Sequence, residues 1–246
     1  MHGLRQVVRL NWPFYAAATL VIVTSTLGLG RLAMPSAVRV AGYTATGLAA
    51  FWLAGSLAAS WIVYDGSRLM KWTWILRALG SSPRTWINIH AGLDESTPAL
   101  RALFAGSEGR VFDMFNPATM TEPSIARARQ RARNAIEPET VDIRHLPVPT
   151  STVDAALLLL SAHELRTDDA RRALFEELRR VLTGAGRIVV VEHLRNWANL
   201  MAFGPGFLHF HSRRTWTRCF TRARLTIQRE LSITPFVHVF VLEKSL

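Results

Sequence analysis

Cysteine is almost missing from this chain. Cys219 is the single one in 246 residues, so there is no disulfide framework and no mark of a disulfide-stabilised exported domain. A Gly-x-Ser-x-Gly nucleophile elbow occurs nowhere, which removes hydrolysis of the α/β-hydrolase type. Acidic residues are outnumbered, 18 against 29 Lys and Arg, for a formal charge of +11. The basic residues are nevertheless dispersed and carry no aromatic-and-basic recognition signature. Nucleic acid is therefore not expected as a partner, and attraction to an anionic membrane surface uses the same charge more simply.

Charge is absent altogether from residues 10–30 and 40–64. Each run meets the ~20 apolar residues that a bilayer-crossing helix needs, and together they predict an N-terminal transmembrane hairpin over residues 1–64. The connector RLAMPSAVR is short enough to force the two spans antiparallel. Arg5 and Arg9 precede the first span, and Arg68, Lys71, Arg77 and Arg84 follow the second, against Arg31 and Arg39 between them. That excess places both ends, and the domain that follows, on the cytoplasmic side of an inner (cytoplasmic) membrane. A cleaved signal peptide is the rival for the first run, and a pair of soluble core helices is the third reading, although neither run has a polar stripe. Small residues four apart, Gly55 with Ala59 and Ala54 with Ala58, suit close helix contact in lipid, within the hairpin or between copies of it.

Beyond the spans, YDGSRLMKWTWILRAL sets Leu69, Trp72, Trp74, Ile75, Leu76 and Leu79 among basic residues, so residues 65–83 read as an amphipathic linker helix. Trp72 and Trp74 are candidates for interfacial anchors or for packing under a sheet. From 84 to 246 short β-rich runs alternate with helical stretches: TWINIH, ESTPALRALF, RVFDMF, EPSIARARQRARNA, TVDI, VDAALLLL, DDARRALFEELRRVL and GRIVVVEHL. This alternation predicts a mostly parallel α/β sheet covered on both faces. The last two runs, RLTIQRELSI and FVHVFVLEKS, have no helix between them and should pair antiparallel at the sheet edge.

A parallel sheet closed by such a hairpin resembles the class I S-adenosylmethionine-dependent methyltransferases over residues 84–246. The segment from VDIRHLP through VDAALL to FEELRRVLTGAGRIVVVE is similar to that family's third to fifth strands, with Gly184 and Gly186 making a turn. The resemblance implies a Rossmann-like methyltransferase sheet and S-adenosylmethionine as cofactor. It puts the family's first motif at NIHAG, where Asn88 replaces the usual acid, His90 stands at the first glycine's position and Gly92 keeps the second. It further implies a cofactor set of Asn88, His90, Ala91, Gly92, Asp113, Asp142, Ile143 and Ser161. Within it Asp113 would take the ribose hydroxyls and Asp142 would lie near the adenine amino group. The turn after His90 is expected to open a helix whose amides face a carboxylate.

Ligands of open parallel sheets bind outside the carboxyl ends of the strands. His163 with Glu164, and Glu192 with His193, fall there, and His90 ends a neighbouring strand. Methyl transfer from a sulfonium needs alignment and, for some acceptors, a base near neutral pH, so His163 is the first candidate for that base and His193 the second. Glu164, Glu192, Phe203, His209 and His211 are candidate acceptor contacts, the last three from an apolar, aromatic stretch that suits a lipophilic small molecule such as a quinone, an isoprenoid or a lipid. No metal is expected, because no helical His-x-x-x-His accompanies the HE and EH pairs. The two functional readings are a membrane-anchored methyltransferase and a non-catalytic scaffold or subunit that keeps the fold.

Overall fold

The computed structural model describes residues 3–92, 94–132 and 139–245. Two long helices, α1 (Gly3–Arg31) and α2 (Ser36–Trp61), precede the sheet and pack against each other. Gly42 makes that contact close, since a Cβ there would lie 2.5 Å from Leu29. Helix α1 bends at Asn11 (φ −116°, ψ 17°), two residues before Pro13, as a proline's missing N–H and its ring require. Below the bend, residues 3–11 lie on the domain: Leu4 and Gly3 N–H groups donate to Asp65, and Leu10 O accepts from Arg127. Above it, α1 has no buried residue, and α2 is buried only at Ser56, Ala59 and Ser60.

The segment expected as one linker helix is broken into a π-turn (Ile62–Gly66), a 3-10 turn (Leu69–Lys71) and the short α3 (Trp74–Leu79). The break is at Trp72, held in the left-handed region at φ 56°. Bending there lets Leu69, Trp72, Trp74 and Ile75 all reach one face of the sheet. The two tryptophans are therefore packing residues, 3% and 7% exposed.

The seven strands are β1 (Thr85–His90), β2 (Glu108–Asp113), β3 (Glu139–Thr140), β4 (Val153–Leu159), β5 (Leu182–His193), β6 (Leu225–Thr234) and β7 (Val237–Lys244). They lie in the order β3-β2-β1-β4-β5-β7-β6, parallel except that β7 runs antiparallel to both its neighbours. Helices α4 (Thr97–Leu103), α5 (Pro123–Ala132), α6 (Asp168–Val181), α7 (Trp197–Phe203) and α8 (Arg213–Arg222) complete the layers. The continuous apolar runs of β4 and β5 are buried on both faces, as central parallel strands must be. The end of the helix expected up to residue 135 lies outside the described residues.

Gly184 and Gly186 do not form a separate turn. They sit in the first half of β5, where the ladder jumps from Val153↔Leu182 to Ala155↔Arg187 and β5 bulges outward. A Cβ at Gly186 would be 2.9 Å from Val153 O, so the bulge needs its glycine there.

Candidate active site

The carboxyl ends of β1, β4 and β5 open into one cavity of about 350 Å³, within the range of small-molecule sites. The strands contribute Asn88, His90 and His193, and the turn after β4 contributes Ser161; α5 contributes Ser124, Ile125 and Ala128; Phe203 and Phe210 come from the β5–α8 connection. Elements outside the sheet close it: Val7, Leu10 and Asn11 of α1, Ser60 of α2, and Tyr64, Met70 and Trp72 of the linker. The small-residue face of α2 is explained by the same arrangement. A Cβ at Gly55 would lie 3.1 Å from Ala202 O, so this position of α2 packs on the backbone of α7.

At the divergent turn, Asn88 is buried and donates through Nδ2 to Ser96 Oγ (3.0 Å) and Thr97 Oγ1 (2.9 Å), while its Oδ1 has no partner. His90 folds back on its own loop: Gly92 N–H donates to Nδ1 (3.4 Å), leaving Nε2 to carry the proton, buried and unpaired. Burial holds this imidazole below its ordinary pKa, so it is neutral at pH 7. Ala91 and Gly92 line the cavity beside it. Gly92 has φ +155°, which keeps the position for glycine. The amides expected to face a ligand carboxylate are already taken, because Asp94 Oδ1 accepts from both Ser96 N and Thr97 N at 3.0 Å. The run Asp94-Glu95-Ser96-Thr97-Pro98 before an apolar stretch is a helix-start signal that sequence reasoning missed, with Asp94 just ahead of the N-cap Ser96.

Asp113 does close β2, but it does not line the cavity. Its carboxylate accepts from Phe115 N (3.0 Å) and is paired with Arg129 of α5, whose guanidinium also lies 4.1 Å from the Phe115 ring centroid. Asp142 is exposed and caps its own turn through Arg144 N (2.9 Å). Ile143 packs against the core, and neither residue reaches the cavity. Ser161 lines the cavity while its hydroxyl donates to Ile89 O (2.7 Å), tying the ends of β1 and β4 together.

The histidines separate into distinct environments. His163 is clamped between carboxylates: Nδ1 is 2.7 Å from Glu192 Oε2, Nε2 is 3.3 Å from Glu164 Oε1, and its backbone N–H donates to Glu192 Oε1. Burial opposes its charge, but the Glu192 carboxylate and the two hydrogen bonds outweigh burial and raise its pKa to about 10. The first candidate for a base is thus already protonated at neutral pH. His193 is the opposite case: burial, then the His163 charge, push it down to about 4. Its Nδ1–H donates to Phe236 O (3.0 Å) and its ring stacks on Phe210 at 4.9 Å. His209 meets the His163 ring edge-on at 5.5 Å and Glu122 at 3.1 Å; burial and His163 lower it to about 4. His211 is not with the others, since its Nε2 accepts from Arg171 Nη1 (2.9 Å) and its ring packs on Trp216. Residues missed from sequence are Asp94, Glu95, Glu122, Arg129 and the α1 segment; the elements that carry them were legible, but their approach to the site is set by tertiary packing.

A family model described as a methyltransferase domain matches residues 116–190, beginning after the divergent turn. Among solved structures, a SAM-dependent methyltransferase from Aquifex aeolicus is similar with a TM-score of 0.54 and 18% identity, over 72% of this chain and 93% of that one. A protein from Pyrococcus horikoshii OT3 is similar at 0.53 and 15%, over 72% and 90%. The geranyl diphosphate C-methyltransferase of Streptomyces coelicolor A3(2), in complex with Mg2+, geranyl-S-thiolodiphosphate and S-adenosyl-L-homocysteine, is similar at 0.50 and 16%, over 70% and 74%. No curated protein matches by sequence. The chain thus has the fold of the class I methyltransferases, with residues 116–190 matching the methyltransferase-domain model, and two long apolar helices precede it.

Proposed function

We propose that the protein is a membrane-anchored methyltransferase that methylates a lipophilic small molecule entering from the cytoplasmic leaflet. The observation that carries this reading is the wall of the cavity. Two of its lining residues hold buried, unpaired polar atoms, Asn88 Oδ1 and His90 Nε2–H. The helix pair and linker add Ser60, Tyr64, Met70 and Trp72 to the lining, and Phe203 and Phe210 add aromatic rings. Exposed large hydrophobics support the anchoring. Among the described residues they fall only on α1, the loop to α2, α2, the π-turn, and α7 with the turn after it, where Trp197 is 78% exposed beside Met201 and Leu208. Trp12, Phe14, Trp61 and Trp197 suit a membrane–water interface.

The residues fit the methionine end of the donor. Asn88 Oδ1, with Asp94 and Glu95 beside it, offers acceptors to an ammonium group, and His90 Nε2–H offers a donor to a carboxylate. When bound, S-adenosylmethionine supplies an electrophilic methyl on sulfur. His193 is left with its Nε2 lone pair because Nδ1–H is committed to Phe236 O, so it orients an acceptor hydroxyl and receives its hydrogen bond. His163, protonated and held by Glu192 and Glu164, is a positioning residue on this reading. Asp113 serves the ribose only if Arg129 yields it.

The engaged states of Asp94 and Asp113 favour a second reading, a scaffold of the same fold without transfer activity. Radiolabelled methyl donor incubated with detergent-solubilised protein and a panel of prenylated quinones and membrane lipids separates the two. Label in the organic phase supports the methyltransferase; label in none of them favours the scaffold. For topology, a reporter inserted at residues 34–37 is expected outside the cytoplasm, and cytoplasmic reporter activity there rejects the hairpin.

A further inference from the structure

One cluster beside the cavity has a donor set that methyl transfer does not require. His163, Glu164 and His209 bring two imidazoles and a carboxylate together, with one donor atom from each all within 4.8 Å of one another. We propose that these three residues form a binding site for a divalent first-row transition ion, of which Zn2+ is the representative, at the edge of the cavity.

Four observations support it. Nε2 of His163 and Oε1 of Glu164 are 3.3 Å apart, which is roughly the separation of two donors on a tetrahedral ion bound at ~2.0–2.1 Å. Behind His163, the fully buried Glu192 accepts from Nδ1 at 2.7 Å and so directs Nε2 at the cluster; a carboxylate behind a ligating histidine is the usual support of such sites. Behind His209, Glu122 stands 3.1 Å away and adds negative charge. Arg166 donates to His163 O (3.2 Å) and His209 O (2.9 Å), which fixes the two ligand-bearing segments relative to each other. Ligation requires His163 Nε2 to give up the proton it otherwise carries, the ion replacing that charge; with both imidazoles neutral, the carboxylates of Glu122, Glu164 and Glu192 balance Arg166 and one divalent ion. Imidazole donors select a borderline transition ion over Mg2+. Three protein ligands leave a position open, and His163 and Glu164 both line the cavity, the arrangement of ions that also take a substrate or water oxygen.

Binding does not depend on the methyl-transfer reading, and the test keeps the two apart. Tag-free, full-length protein in detergent is stripped with chelator and titrated calorimetrically with Zn2+ and with Mg2+, and Co2+ is followed by visible absorption. One Zn2+ per chain with a micromolar or tighter Kd, a Co2+ visible band and no Mg2+ binding are expected. His209→Ala and Glu164→Gln should each weaken Zn2+ tenfold or more while near-UV circular dichroism stays native. No Zn2+ binding by folded protein, or an unchanged Kd in both variants, overturns the site. The stripped protein is also titrated with S-adenosylmethionine. Its binding without any Zn2+ binding rejects the metal site alone, whereas Zn2+ binding without it supports the metal site and counts against the methyltransferase reading.

Discussion

His193 offers a quantitative handle on the site. Its ring is 7% exposed and its pKa is pushed down to about 4 by burial and by the neighbouring His163 charge. A histidine whose folded pKa lies below its unfolded value of ~6.5 contributes stability that is fully present above ~6.5 and is lost as pH falls toward the folded value. With the two values at ~6.5 and about 4, linkage gives a loss of about 2 kcal/mol between pH 7 and pH 5 and about 3 kcal/mol by pH 4. Other groups titrate in the same range, so the test is a difference. His193→Asn keeps a donor toward Phe236 O, which Asn199 Nδ2 also satisfies at 3.0 Å, but it cannot titrate. Denaturant midpoints of wild type and His193→Asn, followed by near-UV circular dichroism in one detergent from pH 7.5 to 4.5, should converge as pH falls. Parallel pH profiles would refute the neutral, buried state of His193 and with it its assignment as the uncharged contact to the acceptor.

Three further outcomes follow from named contacts. Removing the Asp113 carboxylate, as in Asp113→Asn, should weaken S-adenosylmethionine binding about tenfold or more, the effect of losing a charge-assisted hydrogen bond; Arg129→Gln, which deletes the competitor for the same oxygens, should leave binding equal or tighter. Equal affinity in wild type and Asp113→Asn would end the ribose assignment. Asn88→Ala takes away the unpaired Oδ1 and the links to Ser96 and Thr97, so donor affinity should fall by a similar factor, and no change would place the methionine end elsewhere. Gly109→Ala is expected to destabilise the domain by ~1–3 kcal/mol through overpacking, since its Cβ would lie 2.1 Å from the Trp86 ring; an unchanged denaturant midpoint would contradict the tight β1–β2 contact.

The sheet was legible because its runs are dictated by burial: the apolar stretches of β4 and β5 have no other stable place than the centre of a parallel sheet. The terminal hairpin was legible because no helical segment separates β6 from β7. The linker was not, because the drive to bury Trp72 and Trp74 bends the chain through a left-handed residue that periodicity does not reveal. Site legibility followed the same division. Strand ends placed Asn88, His90, Ser161, His163 and His193 around one cavity. Which charges meet is a tertiary fact, so the pairing of Asp113 with Arg129 and the Arg171 contact of His211 had no local signature. The first nine residues of α1 gave no hint that they cover the site, since their role depends on the bend at Asn11.

The central claim is that a turn with histidine in place of glycine still receives the methyl donor. Isothermal titration of the folded, detergent-solubilised protein with S-adenosylmethionine and S-adenosylhomocysteine at neutral pH tests it most directly. Binding of both in the micromolar range, weakened in Asn88→Ala, is the expected result. No heat of binding from protein with a native near-UV spectrum would contradict the account and leave the fold as a scaffold.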